Sequence, residues 1–227
     1  MSARVCVERI GHEAQPVIVI DDFVPDPAAL RATAEALTYQ PMGRHYPGLR
    51  AEVARADLAA FLLPVIDLIT ATFELAQPPA VISAGYSIVT TPPEALTPIQ
   101  RIPHIDGLER ERIALLHFLG REDQGGTAFY RHRSTGFETI DAARHPAYDA
   151  ALHRDVAQHG LPEAGYIGGD TAIYECIARY PARPNRALIY RSHALHCADL
   201  PPGLDLTPDP RRARLTVNTF LMGSAAQ

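Results

Sequence analysis

From residue 80 onward, the chain consists of short strand-like runs separated by turns, and this pattern limits the available folds more than any other feature. Gly, Pro and Asp occupy most of the turns, and helical periodicity is absent between most neighbouring runs. The runs cover residues 80–90, 113–120, 125–131, 173–180, 186–192 and 214–222. Short strands without intervening helices are typical of a β-sandwich or a β-barrel.

The first third of the chain has a different pattern. A β-branched run at residues 15–23 predicts a strand that ends in a turn. A helix is expected next, with Asp26 as its N-cap and Pro27 at its first position. Residues 55–75 are apolar on more than one face and predict a core helix that breaks at Pro64. We expect these helices to pack against a sheet.

Residues 137–170 interrupt the series of strands. Within them, residues 145–160 predict one helix that ends at Gly160. This segment is an insertion between two strands. It either has no role in function or forms a lid that shapes a substrate pocket. The sequence therefore predicts one domain over residues 1–227, of the α+β class with a mainly β core, and a jelly-roll is the leading architecture.

Composition excludes several classes of protein. A net charge of −5 does not favour nucleic acid or an anionic membrane as a partner, and 47% apolar residues suffice for a sizeable core. No apolar run is long enough to cross a bilayer, and the first residues do not resemble a secretory signal. Three widely spaced cysteines argue against a disulfide scaffold, so the expected location is the cytoplasm.

The stretch RIPHIDG at residues 101–107 holds the first candidate functional residues. If this stretch is extended, His104 and Asp106 point to the same face, because side chains two apart on a strand share a side. A second histidine would complete a 2-His-1-carboxylate site, which is typical of non-haem Fe(II) oxygen chemistry. The alternative is a strand end with incidental polar residues, and the pair alone does not decide between the two.

Later segments offer further polar groups. His193 and His196 follow the strand at residues 186–192 and are both candidates for the missing ligand. In the last strand, Arg214 and Thr216 alternate with apolar residues, so one face is polar. Such a face is costly inside a sandwich unless it binds something. The planar guanidinium of Arg214 could bind a carboxylate through two parallel hydrogen bonds.

The order of these motifs resembles the Fe(II)/2-oxoglutarate-dependent dioxygenase superfamily, and most of all its prolyl-4-hydroxylase-like branch. The opening segment PVIVIDDFVPDPAAL resembles the strand, turn and helix with which that branch begins. Three later segments resemble the strand after the metal pair, the strand that delivers the distal histidine and the closing strand. They are IALLHFLGREDQGGTAFY, RALIYRSHALHCAD and RLTVNTFL.

The resemblance implies a double-stranded β-helix, the cupin-like jelly-roll, with N-terminal helices packed on the sheet and a helical insertion. It implies that His104, Asp106 and His196 bind Fe(II), with His196 preferred to His193 on spacing. Arg214, assisted by Thr216, would bind 2-oxoglutarate, and Tyr86 would donate a hydrogen bond to it. The implied activity is hydroxylation with O2, releasing succinate and CO2. Related halogenating enzymes lack the carboxylate ligand, so the presence of Asp106 favours hydroxylation.

Two features differ from the superfamily's usual pattern. The gap of 18 residues between His196 and Arg214 is long, which leaves Arg211 and Arg212 as alternatives for the 2-oxoglutarate contact. Phe118 also stands where relatives often have a tyrosine. The implied substrate is an amino acid, a peptidyl side chain or another small molecule, and the oligomeric state stays open, a homodimer included. The competing hypothesis is a jelly-roll metal-binding or regulatory module that carries out no oxygenation.

Overall fold

The computed structural model describes residues 3–43 and 45–225, apart from the side chains of residues 55–57 and 60. The described residues form eleven strands and four α-helices. The strands are β1 Arg4–Ile10, β2 Gln15–Asp21, β3 Gln40–Pro41, β4 Gly48–Glu52, β5 Ala80–Val89, β6 Arg112–Phe118, β7 Gly126–His132, β8 Tyr174–Pro181, β9 Arg186–Arg191, β10 His196–Asp199 and β11 Leu215–Met222. The helices are α1 Pro27–Glu35, α2 Arg55–Leu62, α3 Ile66–Thr72 and α4 His145–His159.

The strands form two antiparallel sheets of unequal size. The large sheet has the order β1-β2-β9-β6-β11-β5-β4-β3, and the small sheet has the order β10-β7-β8. Strands that are distant in sequence therefore lie side by side, as in a jelly-roll. The fold is the predicted double-stranded β-helix of the α+β class, with a mainly β core.

The large sheet is apolar on both faces. Along β2, Ile18 and Ile20 face one core cluster, whereas Val17 and Val19 face another. This alternation follows from the two-residue period of a strand. Burial on both faces explains why residues 15–21 form a nearly continuous β-branched run rather than an alternating apolar and polar one.

The N-terminal helices cover one face of the large sheet, as predicted. Residues from α1, α2 and α3 share a core cluster with residues of β2, β5, β6, β9 and β11. The Asp26 side chain caps α1 by accepting a hydrogen bond from the backbone N–H of Ala29 at 3.0 Å. Pro64 lies in a short 3-10 turn between α2 and α3, which confirms the expected break.

The small sheet lies against the other face of the large sheet, and α4 covers the small sheet's outer side. Tyr148 of α4 packs in a cluster with Tyr130 and Tyr174 of the small sheet. His132 of β7 is fully buried, and its Nε2 lies 3.1 Å from the carboxylate of Asp155 on α4. The predicted insertion thus contains one helix, and this helix lies behind the small sheet rather than over its inner face.

The strands β1 and β4 are among those that the sequence pattern did not predict. β1 is an edge strand whose residues are exposed except for Ile10, so its apolar pattern is weak. β4 has only five residues and pairs with β5. A Cβ at Gly48, the first residue of β4, would lie 2.0 Å from the backbone oxygen of Ile88 in β5. Glycine therefore permits the close approach of these two strands.

Among the described residues, no helix combines the length and apolarity that crossing a membrane requires.

A buried polar junction joins the ends of β2, β6 and β9. The Asn185 side chain accepts a hydrogen bond from the backbone N–H of Val24 at 3.1 Å and donates one to the same residue's carbonyl at 2.9 Å. The Nε2 of His117 lies 3.0 Å from the Asn185 side-chain oxygen, and the ring packs edge-on against Phe23. Because Nε2–H donates to that oxygen, protonation would put a charge on the enclosed Nδ1. Burial therefore lowers the pKa of His117 to about 4.

This lowered pKa predicts a loss of stability in mild acid. The unfolded chain takes up a proton at His117 near the ordinary histidine pKa of 6.5, whereas the folded chain does so only near 4. As the pH falls from about 6.5 to about 4.5, His117 should remove roughly 2 kcal/mol from the free energy of unfolding. Urea titrations at several pH values should show a shallower dependence in His117→Leu. An unchanged dependence would mean that other groups cause the acid sensitivity.

Candidate metal centre

A pair of backbone hydrogen bonds sets His104 opposite His196. The N–H of His104 donates to the carbonyl of His196 at 2.9 Å, and the N–H of His196 donates to the carbonyl of His104 at 3.0 Å. Residues that are paired in this way on antiparallel segments present their side chains on the same face. The two imidazole rings accordingly lie 4.5 Å apart between centroids.

Asp106 completes the cluster from the same segment. Its backbone N–H donates to the carbonyl of Ser192 at 2.8 Å, which fixes the chain two residues after His104. One carboxylate oxygen lies 3.7 Å from Nε2 of His104, and the other lies 3.3 Å from Nε2 of His196. The three side chains each offer one ligand atom, and these atoms all lie within 4.8 Å of one another.

A further hydrogen bond orients the ring of His196. Its Nδ1 lies 2.9 Å from the backbone oxygen of Ala194. Because a carbonyl only accepts, Nδ1 carries the hydrogen, and the lone pair of the neutral ring is at Nε2, beside Asp106. Backbone carbonyls commonly orient metal-binding histidines in this way.

The protonation states of the cluster follow from its enclosure and its internal charges. Partial removal from water by the cavity wall, together with the neighbouring His196, lowers the pKa of His104, so its imidazole is neutral at pH 7. Burial alone would raise the pKa of Asp106, but the two histidines outweigh it and lower the pKa to about 2. For His196, burial would lower the pKa, and the adjacent Asp106 carboxylate reverses this and raises it. Asp106 is thus ionised, as a metal ligand must be.

The cluster opens into a cavity of about 390 Å³ between the two sheets. Its walls combine the three clustered residues with arginine, tyrosine and apolar side chains. The polar and aromatic members outside the cluster include His45, Tyr46, Arg50, Gln100, Thr127, Tyr190, Arg214, Asn218 and Phe220. The size and composition are those of a small-molecule site.

Arg214 lies in this cavity, whereas the two alternative arginines lie on the surface. Arg214 is buried, and its guanidinium donates one hydrogen bond to the backbone oxygen of Gly126 at 2.8 Å. Its Nε is buried without a hydrogen-bond partner among the described residues. Arg211 and Arg212 are mostly exposed, and they form ion pairs with Glu35, Asp209 and Asp205. Arg214 is therefore the one of the three that can reach a ligand in the cavity.

Thr216 is buried two residues beyond Arg214, but it does not line the cavity. Its hydroxyl donates to the side-chain oxygen of Asn218 at 2.9 Å. Asn218 does line the cavity. Thr216 is thus placed to orient Asn218 rather than to contact a ligand directly.

The structure does not bring Tyr86 to the cavity. Tyr86 pairs with Val217 across β5 and β11, and both residues pack in the cluster beneath the N-terminal helices. Arg214 and Thr216 face the opposite side of the sheet. The prediction that Tyr86 contacts a cosubstrate followed from its strand, but the alternation along β5 turns its ring to the wrong face.

His193 also lies away from the cluster. It borders a separate, open depression on the surface, together with Arg110, Asp141, Arg144 and Arg191. The charged groups there pair with each other, as in the contacts of Arg110 with Asp141 and of Arg144 with Glu13. The choice of His196 over His193 from motif spacing thus agrees with the positions of the two rings.

Several cavity residues were not identified from the sequence. Tyr46 and Arg50 lie on or beside β4, the short strand that the sequence pattern did not predict. Tyr190 is on a predicted strand, and its ring packs edge-on against His196 at 4.9 Å between centroids. The alternation of RALIYR could have identified Tyr190 as inward-facing, whereas no local signal distinguishes Arg50 from a surface arginine.

The donor set fits a divalent transition metal. Two imidazoles and one carboxylate on one side of a cavity leave the remaining positions of a six-coordinate ion open, which is the arrangement of a facial triad. Zinc and nickel are also bound by such donors. The residues beyond the triad, above all Arg214, can bind an anion in the same cavity.

Comparison with solved structures identifies similar folds. The non-haem α-ketoglutarate-dependent carbocyclase SnoK from nogalamycin biosynthesis matches 93% of this chain and 81% of its own, with 13% identity and a TM-score of 0.52. HygX from Streptomyces hygroscopicus, with nickel and 2-oxoglutarate bound, matches 93% of this chain and 84% of its own, also with 13% identity and a TM-score of 0.52. HygX was also solved with hygromycin B, and there the identity is 12% and the TM-score 0.52. At these identities, the likeness establishes the fold alone.

A search of curated proteins found no match for this sequence. A family model, described as a family of unknown function (DUF6445), matches residues 1–221. The match spans nearly the whole length of 227 residues. The chain therefore belongs to the DUF6445 family.

Proposed function

We propose that this protein is an Fe(II)- and 2-oxoglutarate-dependent oxygenase that hydroxylates a small molecule. The observation that carries the proposal is that the triad of His104, Asp106 and His196 shares one cavity with the buried Arg214. The fold supports it, because it is shared with the α-ketoglutarate-dependent carbocyclase SnoK and with HygX, which was solved with nickel and 2-oxoglutarate bound. The motif order favours the prolyl-4-hydroxylase-like branch, and residues 1–227 would act as one catalytic domain.

In this proposal, His104, Asp106 and His196 hold the iron. The neutral imidazole of His104 and the ionised carboxylate of Asp106 are ready to bind it at pH 7. The ring of His196 is oriented by Ala194 so that Nε2 faces the ion. Bound iron and 2-oxoglutarate would supply the oxidising chemistry, with O2 consumed and succinate and CO2 released as the substrate is hydroxylated.

Arg214 binds the distal carboxylate of 2-oxoglutarate. Its Nε, which has no hydrogen-bond partner among the described residues, and its position in the cavity wall suit a planar anion. Gly126 holds the guanidinium in place from the other side. Thr216 acts indirectly, through Asn218. Tyr86 has no role in this assignment, because it faces the helices.

The competing function is a metal-binding or regulatory module without oxygenase activity. Such a module needs the triad but does not need Arg214, a buried arginine that pairs with no carboxylate among the described residues. A buried guanidinium is costly unless an anion pairs with it. Arg214 therefore favours an enzyme that takes an anionic cosubstrate.

The first test is an anaerobic titration of metal-free protein with Fe(II) and then with 2-oxoglutarate. We expect a visible charge-transfer band when 2-oxoglutarate chelates the bound iron. The band should be absent from His196→Ala, because this substitution removes a ligand, whereas Asp106→Ala should abolish 2-oxoglutarate turnover. Circular dichroism and thermal unfolding would verify that these variants are folded.

The outcomes of this titration separate the two functions. Tight metal binding without the band would support the metal-binding module and contradict the oxygenase. Absence of both metal and 2-oxoglutarate binding would contradict both functions. Unchanged 2-oxoglutarate turnover in Asp106→Ala would contradict the assignment of the ligands.

A second prediction concerns Arg214. Arg214→Met should weaken 2-oxoglutarate binding by about tenfold to a hundredfold, because it removes a charge-assisted pair of hydrogen bonds. Metal affinity should stay close to that of the wild type. The matched control is Arg212→Met, which removes the same charge from an exposed position. Equal effects of the two substitutions on the dissociation constant of 2-oxoglutarate would contradict the assigned role.

A further inference from the structure

The cavity contains a second arginine, Arg50, which the oxygenase chemistry described above does not use. Arg50 pairs with Ser87 across β4 and β5, and Ser87 pairs with Thr216 across β5 and β11. Arg50 therefore faces the same side of the large sheet as Arg214. Two strand spacings separate Arg50 from Thr216, which is about 10 Å between backbones. The two guanidinium groups thus come from different parts of the cavity wall.

The side chain of Arg50 is held by an aromatic ring rather than by an anion. Its guanidinium carbon lies 4.1 Å from the centroid of the Tyr46 ring, a cation–π contact that fixes the head group. Its Nε is buried and has no hydrogen-bond partner in the part of the chain that the structure describes. Within residues 3–43 and 45–225, no ion pair to Arg50 is seen, in contrast to Arg131 and Arg186, which contact carboxylates.

The single carboxylate among the described cavity-lining residues is not free to pair with Arg50. This carboxylate belongs to Asp106, and both of its oxygens face histidines of the triad. An anion would stabilise a guanidinium that is partly removed from water. Arg50 is therefore placed to pair with an anion that enters from outside the protein.

The proposed function leaves the charge of Arg50 without a counterpart. The two positive charges of the iron and that of Arg214 are matched by Asp106 and by the two carboxylates of 2-oxoglutarate. A substrate with one negative charge would match the charge that remains. A planar carboxylate fits the fork of a guanidinium, whereas a phosphate monoester carries closer to two charges and would call for a second cation.

Much of the remaining cavity wall is apolar. The apolar lining residues include Val89, Ile99, Ile102, Ile105, Leu116 and Phe220. Ile99 remains 48% exposed, so a ligand that covers it would gain from the hydrophobic effect. The volume of about 390 Å³ suits a small molecule rather than a folded partner.

We propose that Arg50, held by Tyr46, binds a carboxylate of the substrate, and that the substrate is a small monocarboxylate with an apolar body. This inference rests on the proposed function and specifies the substrate class for the same site. Arg50 then selects the substrate, while Arg214 binds the cosubstrate.

The test compares carboxylates with their neutral amides. The probes are 4-phenylbutyrate and octanoate, each beside the corresponding amide, with protein that carries Zn(II) and saturating 2-oxoglutarate so that no turnover occurs. Ligand-observed NMR titrations would measure the affinities. We expect at least one carboxylate to bind about tenfold more tightly than its amide, as a charge-assisted hydrogen-bonded pair gives.

Variants of Arg50 test the source of this preference. Arg50→Met should bring the carboxylate and its amide to within about twofold of each other, and Arg50→Lys should retain part of the preference. The matched control is Arg154→Met, which removes the same charge from an exposed position on α4. This control should keep the wild-type preference. Thermal unfolding would verify that each variant is folded.

The results that overturn the inference differ from those that overturn the proposed function. Equal affinity for carboxylate and amide, no binding of either probe pair, or a preference that persists in Arg50→Met would each overturn the inference. Loss of 2-oxoglutarate binding in Arg50→Met would show that Arg50 holds the cosubstrate, which also overturns it. If the wild type bound neither metal nor 2-oxoglutarate, the proposed function would fail. In that case, the affinities of a carboxylate and its amide for protein without metal or 2-oxoglutarate would still test whether Arg50 binds a carboxylate.

Discussion

The large sheet has to be covered on both faces, and the remaining architecture follows from this requirement. On one face of β2, Ile18 and Ile20 are apolar and must be shielded from water. The helices α1, α2 and α3 pack over this face. On the other face, Val17 and Val19 are buried by residues of the small sheet. The small sheet covers only part of the inner face. The cavity lies where the inner surface becomes polar, along Arg50 and Asn218.

Within that cavity, backbone pairing rather than side-chain packing determines where the candidate ligands lie. His104 belongs to a connection that has no partner strand except at one bridge, and that bridge is to His196 itself. The same contact that attaches this connection to the small sheet therefore sets the two imidazoles side by side. Asp106 is fixed in turn by its bond to Ser192. A triad drawn from distant parts of the chain is thus a direct product of the sheet's hydrogen bonds.

The sequence predicted the features that depend on local patterns. The helix cap at Asp26, the break at Pro64, the end of α4 at Gly160 and most strands of the two sheets agree with the structure. His104, Asp106 and His196, which the family resemblance implied as ligands, do lie together. The features that it missed depend on non-local pairing. β4 is defined by its pairing with β5, which its own five residues do not reveal. The face on which Tyr86 lies depends on its register with Val217.

The two groups of polar residues in the cavity are attached to different layers of the protein. The triad belongs to β10 and to the connection paired with it, whereas Arg50 and Arg214 belong to the large sheet and its edges. A substitution on β4 alters the wall of the cavity without moving any of the three candidate ligands. The ligand preference of the cavity can therefore diverge during evolution through single changes in the large sheet, while the three candidate ligands are inherited unchanged.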